Sequence, residues 1–215
     1  MIHDMNTFEK SLSEILGIDN LSKIQSVRVG IAGAGGLGSN CALFLVRCGF
    51  RKFRIVDFDI VEISNLNRQF YFASQVGQRK VKALRKNLLM INPGAEIEAL
   101  NKKIAPDNIE VIFADCDVVV EALDGAADKR MIAEAYMHSG KLVVAASGIA
   151  GWGRSDDITV RRIKDNFFLV GDLASETTSY CPPLAPRVNV AAAKQADVIV
   201  SYILENGGGG NYGGT

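Results

Sequence analysis

The chain has 215 residues, of which 48% are hydrophobic and 22% are charged, so it can bury a sizeable core and is not disordered as a whole. The 24 basic residues balance the 24 acidic ones, which argues against a general nucleic-acid or membrane-surface binder. The four cysteines form no C-x-x-C pair, and no apolar run reaches the length of about 18 residues that spans a membrane. We therefore expect a soluble, cytoplasmic protein that binds neither nucleic acid nor membrane.

The first two thirds of the chain alternate between helical and strand patterns. An amphipathic helix is predicted over residues 7–25, where Thr7 can cap the start and Gly17 is a plausible stop. The elements predicted next are strand Val27–Ala32, a helix from Leu37 to Cys48, strand Phe53–Val56, helix Val76–Ile91, strand Ala95–Leu100, short helix Ile109–Phe113, strand Val118–Leu123, helix Lys129–His138 and strand Leu142–Ala146. Strict alternation predicts an α/β fold, with a Rossmann-like, mostly parallel sheet covered by helices on both faces.

The pattern changes after Gly148. Ile158–Ile163 and Phe167–Val170 are predicted to form a late antiparallel hairpin, and residues 171–186 a loop without hydrophobic periodicity. Val188–Leu204 is predicted to be a long C-terminal helix. We predict one domain over residues 1–206 and a disordered, glycine-rich tail over residues 207–215.

A glycine-rich loop lies between the first predicted strand and the next helix. Residues 33–38 read G-x-G-x-x-G, which lets the backbone turn tightly and directs free N–H groups toward a phosphate. Asp57 follows at the end of the next strand, where a carboxylate can accept both ribose hydroxyls. Asp59 is the alternative to Asp57, and close helix–strand packing is the alternative role of the glycines. The pattern predicts an adenine nucleotide without distinguishing NAD from ATP.

A local basic stretch follows the glycine loop. From Arg68 to Lys103 there are eight Lys or Arg residues against two Glu, which suits a triphosphate better than a nicotinamide. Lys82, Arg85 and Lys86 are interpreted as the solvent face of a helix, whereas Arg68 and Lys80 flank loops close to the glycines. We therefore expect the last two cations to contact phosphates.

These motifs together resemble the ThiF/MoeB/HesA superfamily, which shares its adenylation fold with ubiquitin-activating enzymes. The likeness covers about residues 7–205, and the short length is most similar to the compact bacterial ThiF type. The segments that carry it are Gly33–Gly38, Asp57–Asp59, Ser64–Gln69, Gly77–Lys80, Leu123–Asp124 and Ala185–Val188.

The resemblance implies an enzyme that uses ATP and Mg²⁺ to adenylate the C-terminal glycine of a ubiquitin-like sulfur carrier protein ending in Gly-Gly. A ThiS-like carrier for thiamine biosynthesis is expected, with a MoaD-like molybdopterin carrier as the alternative. The implied catalytic residues are Arg68, Lys80 and Asn65, and Asp124 is the implied Mg²⁺ ligand. The implied nucleotide-binding residues are Gly33, Gly35, Gly36, Gly38, Asp57, Asn65, Arg68 and Lys80.

Other roles remain open for two of these residues. Asn65 could instead stabilise its own loop by an Asx turn, and Asp124 could cap the helix that follows it. An NAD(P)-dependent oxidoreductase and a non-catalytic nucleotide-binding subunit are the alternative functions.

Three features of the chain bear on this resemblance, and the first two are departures from the family. Residues 1–27 contain no arginine, although larger relatives supply one to the partner subunit's ATP. Lys10 or Lys23 is a weak substitute, and the alternative is that Arg68 and Lys80 suffice. The paired C-x-x-C motif of many relatives is missing, so no structural zinc is expected. Cys181 lies in the predicted loop, where relatives often keep a cysteine for sulfur chemistry, and we hypothesise a catalytic role for it. Family members commonly form homodimers, and we expect one here.

Overall fold

The computed structural model describes residues 5–205, so the predicted disordered tail at 207–215 lies outside the described residues. Seven strands form one sheet: β1 (Arg28–Ala32), β2 (Lys52–Val56), β3 (Glu96–Leu100), β4 (Val118–Glu121), β5 (Leu142–Ala146), β6 (Thr159–Lys164) and β7 (Phe167–Gly171). Their order is β3-β2-β1-β4-β5-β7-β6, and every neighbouring pair is parallel except β6 with β7. The predicted mostly parallel sheet and its late antiparallel hairpin are confirmed.

Helices cover both faces of this sheet. They are α1 (Thr7–Leu16), α2 (Ile18–Ser26), α3 (Gly36–Arg47), α4 (Lys80–Leu89), α5 (Ile109–Ile112), α6 (Ala126–Tyr136) and α7 (Ala185–Glu205). Successive side chains of a strand point to opposite faces, so Val118 and Val120 join the core under α3 and α7, while Val119 joins the core under α5 and α6. The continuous apolar runs of the inner strands thus reflect burial on two sides.

The N-terminal helix differs from the prediction. Residues 7–25 do not form one helix, because Gly17 adopts φ 80° and separates α1 from α2. Asn6, and not Thr7, caps α1 by accepting a hydrogen bond from the Glu9 backbone N–H at 3.0 Å. The predicted stop at Gly17 is therefore correct for the first helix, and a second helix follows directly.

The start of α4 also differs from the prediction, by four residues. Backbone hydrogen bonds of 2.8 Å from Val61 to Gln78 and from Gly77 to Val61 hold residues 77–78 against an earlier loop. The helix therefore begins only at Lys80 rather than at Val76. In contrast, two helices begin three residues earlier than predicted. The first residue of α6 is Ala126 rather than Lys129, and that of α7 is Ala185 rather than Val188.

The carboxyl ends of the parallel strands meet at one edge of the sheet, where the motif loops lie. β1 lies between β2 and β4. The strands that follow β1 are therefore added on both of its sides, and this reversal of strand order opens a crevice at the carboxyl end of β1. Gly38 allows α3 to pack against the end of β1, because a Cβ at this position would overlap the Gly33 carbonyl. Between residues 5 and 205 no helix combines the length and the apolar character that a membrane crossing needs.

Candidate functional site

Two adjoining pockets open at this edge of the sheet. A smaller one, of about 190 Å³, lies beside the glycine loop and the end of β2, and we call it the inner pocket. A larger one, of about 580 Å³, lies between the start of α3 and the loops after β5 and β7, and we call it the outer cleft. Ala122, Leu123 and Asp124 line both. The crevice therefore offers two connected compartments that meet at Asp124.

Asp57 holds the glycine loop at the inner pocket. Its Oδ2 accepts a hydrogen bond from the Ala34 backbone N–H at 2.7 Å, and its Oδ1 accepts one from the Asp59 N–H at 2.8 Å. A carboxylate has about four acceptor positions, so two remain for ligand hydroxyls. Asp57, which the sequence favours over Asp59, is the carboxylate that contacts the glycine loop.

Lys80, the first residue of α4, extends its side chain into the same pocket. Its side chain is buried, and its Nζ lies 2.9 Å from Oδ2 of Asp59. Both residues line the inner pocket, so Asp59 orients the ammonium group beside the glycine loop. An ammonium paired on one side keeps further N–H donors for an anionic ligand.

Arg68 lines the outer cleft beside Gly36. Its guanidinium Nη1 donates to the Ser64 carbonyl at 3.2 Å and to Oδ1 of Asn67 at 2.7 Å. Asn40 connects the Gly36 and Arg68 carbonyls, donating to them at 2.7 and 2.8 Å. The start of α3 and the arginine loop are therefore held as one unit.

Asn65 is placed differently from Arg68. It is buried, and its Oδ1 accepts a hydrogen bond from the Glu62 backbone N–H at 3.0 Å. This contact stabilises the loop, but through a backbone N–H three residues earlier and not through the Asx turn given as the alternative. Asn65 is not among the residues that line either pocket.

Asp124 is exposed at the junction of the two compartments. The alternative helix-capping role is not observed, because Gly125 is the N-cap of α6 and no side-chain hydrogen bond caps that helix. Within residues 5–205 no group of three or more His, Cys, Asp or Glu side chains could hold a metal ion by itself. A single carboxylate nevertheless fits Mg²⁺, which keeps several waters and binds substrate phosphates together with one or two carboxylates.

The chain matches the ThiF family over residues 8–207. It belongs to that family. Adenylyltransferase and sulfurtransferase UBA4 of Candida glabrata is 34% identical over 139 residues, which cover 64% of this chain and 32% of that protein. The probable adenylyltransferase/sulfurtransferase MoeZ of Mycobacterium tuberculosis is 33% identical over 133 residues, covering 61% and 34%. This ThiF-family chain thus spans about a third of the length of these relatives.

Solved structures with the same fold are more distant in sequence. The tRNA N6-threonylcarbamoyladenosine dehydratase TcdA of E. coli, in complex with ATP, superposes with a TM-score of 0.78 at 19% identity over 92% of both chains. E. coli MccB, crystallised with AMPCPP and MccA, gives a TM-score of 0.70 at 21% identity over 88% of this chain and 59% of its own. These likenesses establish the fold of the ThiF-family chain.

Cys181 lies apart from the residues described above. It is half-buried, and its Sγ packs directly against Gly151, where an added Cβ would lie 2.8 Å from the sulfur. It is not among the residues that line the outer cleft. Of the other cysteines, Cys41 is fully buried, and burial raises the pKa of the Cys116 thiol to about 11.

The sequence interpretation missed an ion pair in the floor of the outer cleft. Glu121 ends β4 and is 1% exposed, and both of its oxygens lie 3.1 Å from Nζ of Lys129. Lys129 also donates to the Ala146 carbonyl at 3.0 Å, so the pair joins β4, α6 and β5. A glutamate that ends a fully apolar strand was the available signal, because a buried carboxylate needs a partner.

Proposed function

We propose that this ThiF-family chain adenylates the C-terminal glycine carboxylate of a ubiquitin-like sulfur carrier protein that ends in Gly-Gly, using ATP and releasing pyrophosphate. The observation that supports this most is the pair of compartments that meet at Asp124. The inner pocket, with Asp57 and Lys80, suits a nucleoside and its first phosphate. The outer cleft begins at Gly36 and Arg68, where the remaining phosphates and the incoming carboxylate must meet.

The reaction requires charge neutralisation more than proton transfer. A carboxylate oxygen of the carrier attacks the α-phosphorus, and the bond from that phosphorus to the α,β-bridging oxygen breaks. Pyrophosphate leaves with the bonding electrons, and the product is an acyl adenylate. Because both reactants are anions, fixed cations and backbone N–H groups that face the phosphates lower the barrier.

Each site residue has one part in this proposal. The N–H groups at the start of α3, around Gly36, bind phosphate oxygens, and Asp57 accepts hydrogen bonds from the ribose hydroxyls. Lys80 faces the α-phosphate, and Arg68 the β- and γ-phosphates. Asp124 would hold Mg²⁺, which supplies positive charge to the phosphate oxygens.

Two further assignments complete the proposal. Gly33, Gly35 and Gly38 shape the loop around the nucleotide, whereas Asn65 contributes to phosphate binding through the loop that it stabilises. We assign no step to Cys181.

The carrier and its pathway are proposed on the names of the relatives. UBA4 and MoeZ combine an adenylyltransferase with a sulfurtransferase, which supports a sulfur carrier as the substrate. Among such carriers we propose a ThiS-like protein of thiamine biosynthesis, with a MoaD-like carrier as the alternative, in the cytoplasm. We also propose a homodimer, supported by exposed apolar side chains in the segment between β2 and α4: Phe58, Ile60, Ile63, Phe72 and Val76.

A second candidate substrate is suggested by a solved structure that shares this fold. TcdA superposes on this chain over 92% of both chains. TcdA is a dehydratase of N6-threonylcarbamoyladenosine in tRNA, so a carboxylate carried by RNA is the alternative acyl substrate. The balanced charge of this chain favours the protein carrier.

The proposal is tested by ATP–pyrophosphate exchange with Mg²⁺, in the presence of a ThiS-like carrier, a MoaD-like carrier or bulk tRNA. We expect exchange that depends on the ThiS-like carrier and falls by about 10²-fold or more in Asp124→Asn. Asp165→Asn is the matched control, because that carboxylate is 99% exposed on the hairpin. Exchange that survives in Asp124→Asn would refute the site, and exchange with tRNA alone would move the assignment to the second candidate.

A further inference from the structure

A buried arginine lies behind the wall of the outer cleft, and no step proposed above uses it. Arg187, at the start of α7, is 4% exposed, and its Nη2 lies 2.5 Å from Oδ2 of Asp172. Its Nη1 donates to the carbonyls of Gly153 and Arg154, at 2.9 and 2.8 Å. One guanidinium group therefore connects three segments that are distant in sequence.

Both loops that this guanidinium holds have constrained backbones. Arg154 adopts φ 41°, a left-handed conformation that is strained for a residue with a Cβ. On the other side, Oδ1 of Asp172 accepts hydrogen bonds of 2.8 Å from the N–H groups of Ala174 and Ser175. Gly148 touches the same carboxylate so closely that a Cβ there would overlap it. The contacts leave little freedom in either loop.

These two loops form one wall of the outer cleft. Residues 148–150 line it from the loop after β5, and residues 175–177 line it from the loop after β7. They are joined directly, since the Ala150 backbone N–H donates to Oγ of Ser175 at 3.1 Å. The spacing between this wall and the start of α3 therefore depends on how the two loops are held.

We propose that Arg187 is a positioning residue, which with Asp172 sets the wall of the outer cleft and thereby the path of the acyl substrate's extended C-terminal segment. Buried ion pairs are weak stabilisers, because desolvation offsets their attraction, whereas a planar group with five fixed donors is well suited to fixing geometry. The identity of the entering segment rests on the proposed function, while the positioning of the loops does not.

The inner pocket is held by contacts of its own. Asp57 binds the Ala34 and Asp59 backbone N–H groups, and Lys80 pairs with Asp59. None of these contacts involves the loops that Arg187 connects. A loss of Arg187 should therefore alter the outer cleft and leave nucleotide binding unchanged.

The first test is hydrogen exchange of the backbone amides, measured by mass spectrometry on the full chain. Arg187→Lys keeps the positive charge but has one nitrogen for three acceptors on two segments. We expect exchange to become about tenfold faster in residues 148–154 and 173–183, and to stay unchanged in residues 33–38. Arg162→Lys is the control, because that arginine pairs with an exposed carboxylate on the hairpin. Unchanged exchange, or exchange that rises equally everywhere, would overturn the proposal.

The second test divides substrate binding from nucleotide binding. In Arg187→Lys we expect the KM for a Gly-Gly-ended carrier in the exchange assay to rise about tenfold, with the KM for ATP unchanged. Equal changes in both constants, or in neither, would contradict a positioning role. If Arg187→Lys does not fold, Asp172→Asn is measured in the same two assays, with the same outcomes. If the wild type shows no carrier-dependent exchange, the proposed function fails, and the amide measurement still decides the positioning role.

Discussion

Two largely buried ion pairs border the outer cleft, and the pKa values of their carboxylates are shifted in opposite directions. In the floor, burial raises the pKa of Glu121 and outweighs the opposing contributions of Lys129 and the Leu123 backbone N–H. In the wall, burial also acts to raise the pKa of Asp172, but backbone N–H groups and the Arg187 guanidinium lower it further than burial raises it. The comparison shows that directed donors outweigh desolvation for the partly buried Asp172 and do not for the fully buried Glu121.

The two pairs also connect different kinds of structure. The floor pair joins β4, β5 and α6, which belong to the regular core of the sheet. The wall pair joins two loops to the start of α7. We therefore expect the floor pair to matter for stability and the wall pair for the entry of substrate.

The largest effect is expected from Lys129→Met, which leaves Glu121 buried without its charged partner. The free energy of unfolding should fall by about 3–5 kcal/mol, as measured by urea denaturation at neutral pH.

The matched control is the double variant Glu121→Gln with Lys129→Met, which has no buried charge and should recover most of that loss. If Lys129→Met alone were as stable as the wild type, the floor ion pair would not contribute to stability. The proposed difference between the floor pair and the wall pair would then be wrong.

We next expect Glu121 and Asp172 to make the stability of the fold depend on pH in opposite directions. Folded Glu121 holds its proton more tightly than the unfolded chain, so its contribution to stability falls as pH rises from about 4 toward 7. Folded Asp172 holds its proton less tightly, so its contribution is complete above about pH 4 and is lost as pH falls toward 2. A difference of one pKa unit corresponds to about 1.4 kcal/mol.

These dependences are measured as urea midpoints across pH, in the wild type and in Glu121→Gln or Asp172→Asn. Each variant should lose only its own dependence: Glu121→Gln the fall toward neutral pH, and Asp172→Asn the fall in acid. Profiles that change in the same direction would contradict the contrast between the two sites.

The smallest effect is expected from a pair that is not buried. Arg162 and Asp165 lie 2.9 Å apart on the hairpin, with side chains 42% and 99% exposed. Solvent screens such a pair, so Asp165→Asn should leave the urea midpoint unchanged at physiological salt. If Asp165→Asn were clearly destabilised, loss of a partner would cost stability in an exposed ion pair as well. The contrast between buried and exposed pairs would then not hold.

The parts of the site that the sequence predicted are those encoded by nearby residues. The strand, glycine loop and helix at residues 28–47 follow from local patterns, and so does the carboxylate at the end of β2. Their contacts were also foreseeable, because the carboxyl ends of adjacent parallel strands share one edge of the sheet. Asp57 accordingly reaches the glycine loop, 23 residues away in the chain.

The helix boundaries show where local patterns fail. The pattern of α4 suggested a start at Val76, but contacts with Val61 hold residues 77–78 in the loop. The hydrophobic pattern of residues 7–25 did not reveal that Gly17 would adopt positive φ and begin a second helix without a linker. Both errors arise because tertiary contacts and backbone conformation override periodicity.

By itself, the sequence determined the α/β class, the order of the main elements, the ThiF-family motifs and the placement of Asp57, Lys80, Arg68 and Asp124 around one crevice. Only the tertiary structure decided that Glu121 and Lys129 meet in its floor and that Arg187 holds its wall. The physical reason is that a charged residue looks the same in sequence whether it is solvated or buried. Burial and partner choice depend on how distant segments pack, and no local pattern records that packing.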